Sequence, residues 1–505
     1  MINNQPKQPM LDIIETYKRA LPPGKLVSLE LSPLDRFGLP FWVVTLYPDD
    51  GPTNAGSGYG FDSTAALLGA YGELSEVVHA NAAMRRMQRV RGSYRELARQ
   101  HGVRGVVDPL TLCLEAGSPY TPDMPLQWVT VRRYPTNEPV LMPLEWVACQ
   151  GSDVPGETGW LITLITNGLG AGLRRDDAVG HGLLEVVQRD GNSVHFRALA
   201  DATELDLSSV QDPETQWLLA YLCQEFVEVI AKVAGTEWEL ANVYVVGYDH
   251  ESYPNAAVMT AACGEAAHPD REQALRKALL EFVAARSRLA FSHGLLAPVE
   301  QIAGPDYLPQ FLKGYRPEGE ERRALQAMMA WQGRDLAEMR HMLDRVLRVE
   351  RSVPFDSLPT SNNPALSERG AVGRLVAERL IADGWDVLVA DYTPPDSAVA
   401  AVKVIVPGLE VETLSYHRIG ERNLQRLLAA GSPLVGVGTP PATAKAVLLT
   451  AEAEARLGGP AWLDVAALDR LVGPLYPLYR EPGRHTAPLI AAGRLPRPTW
   501  LDPLP

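Results

Sequence analysis

Apolar positions recur at helical spacing near the start of the chain: Leu11, Ile14, Tyr17 and Leu21 mark one face of a short helix over residues 10–20, stopped by Pro22-Pro23-Gly24. The period then changes. β-Branched and aromatic residues gather between Leu26 and Tyr47, and Phe41 to Leu46 reads as a strand followed by a glycine-rich loop at Gly56–Gly60. Helical spacing returns over Ser63–Arg89, with Asp62 or Ser63 as N-cap and Leu67, Leu68, Tyr71, Leu74, Val77 and Val78 as the apolar positions. The same succession occurs again as a strand over Gly159–Thr166, a glycine-rich turn over Asn167–Gly172 and a helix over Asp176–Arg189. It occurs in part a third time, with a strand over Val243–Tyr248, a polar loop over Cys263–Asp270 and a helix over Arg271–Ser292.

Residues 320–350 form a helical stretch with Leu325, Met328, Met329, Leu336, Met339, Leu343 and Val346 on one face, which reads as a packing stripe. Arg351–Pro364, rich in Ser, Pro and Asn, is the linker candidate. A helix over 370–383 and strands over Asp386–Asp391 and Val399–Val406 complete an α/β pattern. From Pro474 the chain is proline-rich, which predicts an extended tail.

The 505 residues are 46% hydrophobic and 21% charged, the composition of a folded globular protein with a large core. Lys plus Arg number 47 and Asp plus Glu 61, so the formal net charge of −14 argues against nucleic acid or anionic lipid as a partner. Cys113, Cys149, Cys223 and Cys263 contain no C-x-x-C pair and read as buried thiols of a reducing cytoplasm. The polar start of the chain does not read as a secretory signal, and no stretch approaches the ~20 apolar residues of a membrane span. A cytoplasmic location is expected.

Carboxylates three residues apart on one helix point the same way, so Glu73 and Glu76 could share a hard cation such as Mg²⁺ or simply form a solvated face, and the apolar and small flanks Ala70, Tyr71, Gly72, Leu74 and Val77 favour a place near the buried boundary. Glu185 is flanked by four aliphatics in Leu183-Leu184-Glu185-Val186-Val187, and Glu281 repeats that arrangement in Ala278-Leu279-Leu280-Glu281-Phe282-Val283. A buried-side carboxylate needs a metal, a ligand or an arginine to compensate it, and Arg189 and Arg286 are within reach in sequence. Three helices bringing such glutamates suggest one site built from separated segments. The loop Thr166–Gly172 could offer N–H groups to phosphate, or be a simple tight turn. It is not a G-x-G-x-x-G fingerprint, because position 173 is leucine, and the chain has no P-loop, no G-x-S-x-G elbow and no H-E-x-x-H helix.

In chain order these segments resemble the YcaO family of ATP-dependent enzymes that activate peptide-backbone amides. The resemblance is carried by Leu34-Asp35-Arg36-Phe37-Gly38-Leu39-Pro40, by Gly58-Tyr59-Gly60 with Glu73 and Glu76, and by Thr166–Gly172 through Glu185, Gln188, Arg189 and Asp190. His268-Pro269-Asp270 with Glu281 and Arg286, and Val404–Glu410, continue it. It implies a fold of β-sheets flanked by helices around a central cleft for ATP and Mg²⁺, with Glu73, Asn167, Arg189 and Arg286 on the cofactor and Glu76, Asp177, Glu185 and Glu281 on metal. No catalytic residue is assigned, since the substrate supplies the nucleophile. Tyr59, Leu173, Gln188 and Ala284 depart from the family pattern, where lysine, asparagine, glutamate and glutamine are usual.

The implied organisation is a leading helix and linker over 1–25, a catalytic domain over 26–425 with a helical insertion at 305–365, and a C-terminal extension over 426–505 with the proline-rich tail. The implied activity is phosphorylation of a backbone amide of a ribosomally made peptide, with cyclodehydration of Cys, Ser or Thr to thiazoline or oxazoline as the leading product. Amidine or thioamide formation, and a non-catalytic nucleotide-binding scaffold, are the alternatives. Expected partners are the precursor peptide, a separate peptide-recognition or ubiquitin-activating-enzyme-like protein, and a second copy in a homodimer.

Overall fold

The computed structural model describes residues 7–154, 159–194, 203–313, 320–368, 370–410 and 416–501. The leading helix, Lys7–Ala20, buries Ile14 and Tyr17 in one cluster with Leu74 and Val78 of the helix Ser63–Met84. Asp62 caps the latter by accepting from Thr64 and Ala65 N–H at 2.8 and 3.1 Å, and the helix ends before the predicted Arg89. Helices Arg175–Val194 and Arg271–His293 form close to their predicted bounds.

A three-stranded antiparallel sheet runs Gly24–Glu30, Phe41–Pro48, Asn54–Tyr59. A five-stranded sheet is ordered Cys263–His268, Ala241–Asp249, Val227–Gly235, Thr203–Asp206, Arg351–Pro354, with the last pair parallel. A third sheet carries Leu169–Gly172 beside Ala400–Ile405, Leu388–Asp391 and Pro125–Arg133. Helices cover these sheets, the mixed α/β arrangement that the sequence predicts.

Several predicted loops are strands. Gly56–Gly60 belongs mostly to the strand Asn54–Tyr59, and Cys263–Asp270 mostly to the strand Cys263–His268. The predicted strand Gly159–Thr166 is irregular, and the real strand, Leu169–Gly172, lies inside the predicted turn. Its small residues have a packing reason. A Cβ at Gly58, Gly170 or Gly264 would overlap the backbone of the helix facing it, so these strands lie directly on their helices, a contact that only glycine permits. Leu161 and Ile162 have a different backbone partner: their N–H groups donate to the Glu145 carboxylate at 2.6 and 3.2 Å instead of to a ladder.

The linker candidate is also ordered: Arg351–Pro354 pairs with Thr203–Asp206, and Phe355 and Leu358 are buried. The 320–350 stretch is three short helices, Arg322–Trp331, Leu336–Met342 and Asp344–Leu347, whose Leu325, Met328, Met339, Leu343 and Val346 are core residues as the packing stripe predicts. The proline-rich end is not extended. It forms a 3₁₀ segment, Gly473–Leu478, and a helix, Thr486–Ala491, while residues 502–505 lie outside the described residues. Leu463, Leu468 and Leu475 join the same hydrophobic cluster as Val243, Leu279 and Phe282, so this end packs into the main core. Of the four cysteines, Cys113 and Cys149 are buried, Cys263 is half-buried and Cys223 is exposed, contrary to the expectation of four buried thiols. No helix among the described residues is long and apolar enough to cross a membrane.

Candidate functional site

In three strand–helix units a backbone N–H from the strand, or from the residue just before it, is delivered to a glutamate on the helix that follows. Ser57 donates to Glu73 from its N–H at 2.8 Å and its hydroxyl at 2.7 Å, Gly168 N–H to Glu185 at 2.8 Å, and Glu265 N–H to Glu281 at 3.0 Å. Donor and acceptor are 16, 17 and 16 residues apart in the three cases, so the three succession patterns of the sequence are one structural device used three times. Glu76 is fixed across units, accepting from Ala171 N–H at 3.0 Å. In Glu73, Glu76 and Glu281 one oxygen is held this way and the other makes no hydrogen bond.

Glu73, Glu76, Glu185 and Glu281 line one lobe of a cleft, about 520 Å³, together with Gln188, Arg189, His181 and Lys277. Burial pushes the carboxyl of Glu76 well above the usual range, reinforced by Glu73 and Glu185, and it pushes Glu73 and Glu281 up as well. Burial and then Lys277 lower His181 to about 4, so its ring is neutral near pH 7. This is a lobe of carboxylates short of positive charge.

A second lobe, about 480 Å³, shares Ser57, Tyr59, Glu73, Thr166, Arg189 and Glu281 with the first. Its outer wall is aromatic, with Phe41, Tyr244, Trp331 and Tyr479, and it also carries Asn167, Glu265 and Arg288. Arg189 bridges the lobes, 2.6 Å from Glu265 and 3.5 Å from Glu185. Glu481, from the C-terminal extension, reaches this wall and accepts from Arg288 at 2.7 Å while lying 2.8 Å from His293 Nε2. Against a burial penalty, Arg288 and His293 hold the Glu481 carboxyl well below the usual range. A larger cavity, about 870 Å³, lies elsewhere, walled by Tyr134, Trp385 and Leu449, and carries none of the candidate cofactor or metal residues.

The structure therefore gathers Glu73, Glu76, Glu185, Glu281, Arg189 and Asn167 around one cleft. It does not bring Asp177 or Arg286 to the lining. Asp177 pairs with Arg174 at 3.4 Å near the start of its helix. Arg286 has no exposed side chain and is enclosed by Asp35 at 2.6 Å and Asp249 at 2.9 Å, with Arg36 pairing with Asp249 from the other side at 2.7 Å. Sequence reasoning missed Glu265, Lys277, His181, Arg288 and Glu481. Glu265 carried the same signal as Glu185, a lone charge among small and apolar neighbours, whereas Glu481 sits far along the chain with no pattern around it.

The residues fit a magnesium-bound nucleotide. Among the described residues no three His, Cys, Asp or Glu side chains converge on a point as a preformed metal site. Mg²⁺ is commonly held by one or two carboxylates with phosphate and water oxygens completing its shell, so carboxylates spread around a cavity suit an ion that arrives with phosphates. The buried Nε of Arg189 has no hydrogen-bond partner, leaving a donor for such an anion.

A family description, YcaO cyclodehydratase, ATP- and Mg²⁺-binding, matches residues 57–410. The chain belongs to the YcaO family. The match begins at the first N–H donor to an acidic helix, Ser57, and ends at Glu410, inside the expected 26–425. An uncharacterized protein of Methanothermobacter thermautotrophicus is 28% identical over 397 residues, which cover 78% of this chain and 91% of that protein. YcaO from Methanopyrus kandleri, bound with AMPPCP and Mg²⁺, shares the fold with a TM-score of 0.54 at 20% identity, covering 82% of this chain and 94% of that one. A heterocyclase in complex with substrate and cofactor gives a TM-score of 0.60 at 15% identity over 84% of this chain and 55% of its own, so this chain spans roughly half that protein's length. Within the family, Tyr59 and Ala284, at positions that depart from the usual pattern, both line the cleft. Gln188 is buried, with its amide 3.4 Å from Glu265.

Proposed function

We propose that this chain is an ATP-dependent enzyme that activates a backbone amide of a ribosomally made peptide, with cyclodehydration of Cys, Ser or Thr to thiazoline or oxazoline as its reaction. The observation that carries the reading is the threefold device: three strand–helix units each fix one carboxylate oxygen and turn the glutamate toward one cavity. Glu76, Glu185 and Glu281 would hold the metal ions, and Glu73, Asn167 and Arg189 the nucleotide. ATP supplies the phosphoryl group that makes the amide oxygen a leaving group. The substrate's own thiol or hydroxyl adds to the carbonyl carbon, that oxygen departs with the phosphate, and loss of the amide proton leaves the C=N bond. The protein's part is positioning and charge neutralisation, and the aromatic wall of the second lobe suits a peptide chain beside the nucleotide.

The partners in this reading are a precursor peptide, a separate peptide-recognition or ubiquitin-activating-enzyme-like protein and a second copy of the chain, in the cytoplasm. The test is mass spectrometry of the precursor incubated with ATP and that partner. Loss of one water coupled to release of ADP and phosphate is expected, and alkylating the substrate cysteines should abolish a thiazoline while leaving an amidine. A gain in mass from exchange of oxygen for sulfur would assign a thioamide. Gln188 and Ala284, neutral where the family carries more polar groups, favour a nucleotide-holding scaffold as the second reading. Binding of ATP and peptide with neither one changed decides for it.

A further inference from the structure

Residues 159–168 run from the core to the cleft without forming a helix or a strand, and side chains grip their backbone instead. Leu161 and Ile162 N–H donate to one oxygen of Glu145 at 2.6 and 3.2 Å. The Ile165 carbonyl accepts from Lys403 Nζ at 2.7 Å, and Gly168 N–H donates to Glu185. The first two grips lead to the same place, the short helix Leu144–Val147: Glu145 is on it, and Lys403 joins Ile165 to the Ala148 carbonyl at its end, 3.0 Å away. At the other end of the segment Ile165, Thr166 and Asn167 line the second lobe of the cleft, and Thr166 lines the first as well.

Glu145 and Lys403 are both buried, and among the described residues neither forms an ion pair. Burial pushes the Glu145 carboxyl up to about 7, opposed only by the two N–H groups. Unpaired buried charges are costly in surroundings that apolar side chains fill, and Leu144, Trp146, Val147, Leu161 and Ile162 share one hydrophobic cluster here. What the two charges secure is placement: the carboxylate satisfies two N–H groups that no ladder serves, and the ammonium joins two carbonyls. We propose that Glu145 and Lys403 are positioning residues of the nucleotide site, docking segment 161–165 on the short helix so that Asn167 lines the cleft and Gly168 holds Glu185 in place. This rests on the Mg-ATP reading given above, and it adds two residues, remote from the cleft lining, that neither the family resemblance nor the sequence pattern assigns.

Calorimetric titration of the full chain with ATP in excess Mg²⁺, paired with hydrogen exchange at the Leu161 and Ile162 amides, tests it. Glu145→Gln keeps an acceptor oxygen and should bind Mg-ATP within about twofold of wild type. Glu145→Leu removes the acceptor: both amides should exchange about tenfold faster or more, and Mg-ATP should weaken about tenfold, the scale on which a metal site loses affinity with its outer partners. Lys403→Met replaces a buried charge with an unbranched apolar chain, releases Ile165, and should weaken Mg-ATP about threefold or more. A role confined to stability would lower the urea midpoint of Glu145→Leu and leave the Kd of the folded chain unchanged. That result, or an equal loss of affinity in Glu145→Gln and Glu145→Leu, overturns the proposal. Should Glu145→Leu not fold, Lys403→Met decides, and a Kd within about twofold of wild type overturns it. A wild-type chain that fails to bind millimolar Mg-ATP refutes the nucleotide reading itself and this proposal with it, which is a different result from a wild type that binds and a Glu145→Leu variant that binds equally well.

Discussion

Replacing Glu76 with glutamine separates a ligand carboxylate from a structural one. Glu76 is 8% exposed, its only hydrogen bond is from Ala171 N–H at 3.0 Å, and Glu73 and Glu185 add to its burial in raising its pKa. Glutamine keeps an acceptor for Ala171 and removes the charge. Because the folded-state pKa is raised, the folded chain binds more protons than the unfolded chain between the ordinary carboxylate value of ~4.3 and the raised one, and wild-type stability falls as pH climbs through that window. Glu76→Gln has no such loss. The apo variant should gain about 1–2 kcal/mol over wild type at pH 7, the scale of relieving one poorly compensated buried group, and the gain should vanish toward pH 4. Urea unfolding at both pH values reads the difference as a shift in midpoint at constant slope. Mg-ATP affinity should move the other way, falling about tenfold or more as a metal-facing oxygen is lost. A Glu76→Gln protein that is less stable than wild type at pH 7 refutes the reasoning, because the carboxylate would then be half of a structural pair with His181 or Lys277.

Arg189→Met should cost about 3 kcal/mol in denaturant unfolding, since it removes the guanidinium 2.6 Å from Glu265, which is 1% exposed, and it should also weaken Mg-ATP in calorimetry. Arg286→Met should destabilise by about 3–5 kcal/mol, because Asp35 and Asp249 lose the guanidinium between them, and any folded fraction should bind Mg-ATP with wild-type affinity. Glu481 is ionised against a lowered pKa, so its pair with Arg288 and His293 stabilises the chain above pH ~4.3 and is lost as pH falls below it. Glu481→Gln should therefore lower stability by about 1–2 kcal/mol at pH 7 and flatten the acid limb of the thermal-stability profile.

Much of the site was legible because its chemistry conflicts with its surroundings. Glu185 and Glu281 declared themselves as charges among aliphatics, a local contradiction that only a partner across space resolves, and the cleft provides that resolution. Helical period placed the starts of three long helices to within a residue, since a long apolar face averages over many side chains. The ends of two differ, Met84 for the expected Arg89 and Val194 for the expected Arg189. The strands failed where glycine dominates. Gly56-Ser57-Gly58 and Leu169–Gly172 look like turns in sequence, yet they are strands whose missing side chains make room for a helix backbone, a demand set by the opposite element and invisible locally.

The proline-rich end failed for a related reason: prolines permit an extended chain, but Leu475, Tyr476 and Leu501 are drawn into a core formed mostly by residues hundreds of positions earlier. Arg286 shows the same limit from the functional side. Sequence placed a conspicuous arginine one turn and a half beyond Glu281, and only the tertiary structure decided that its face of the helix meets Asp35 and Asp249 while Glu281 faces the cleft. The sequence by itself determined which residues need a partner, because the cost of burying charge is written in the immediate neighbours. Which partner each residue receives depends on the packing of strands and helices from distant segments, and that is fixed only when the chain closes on itself.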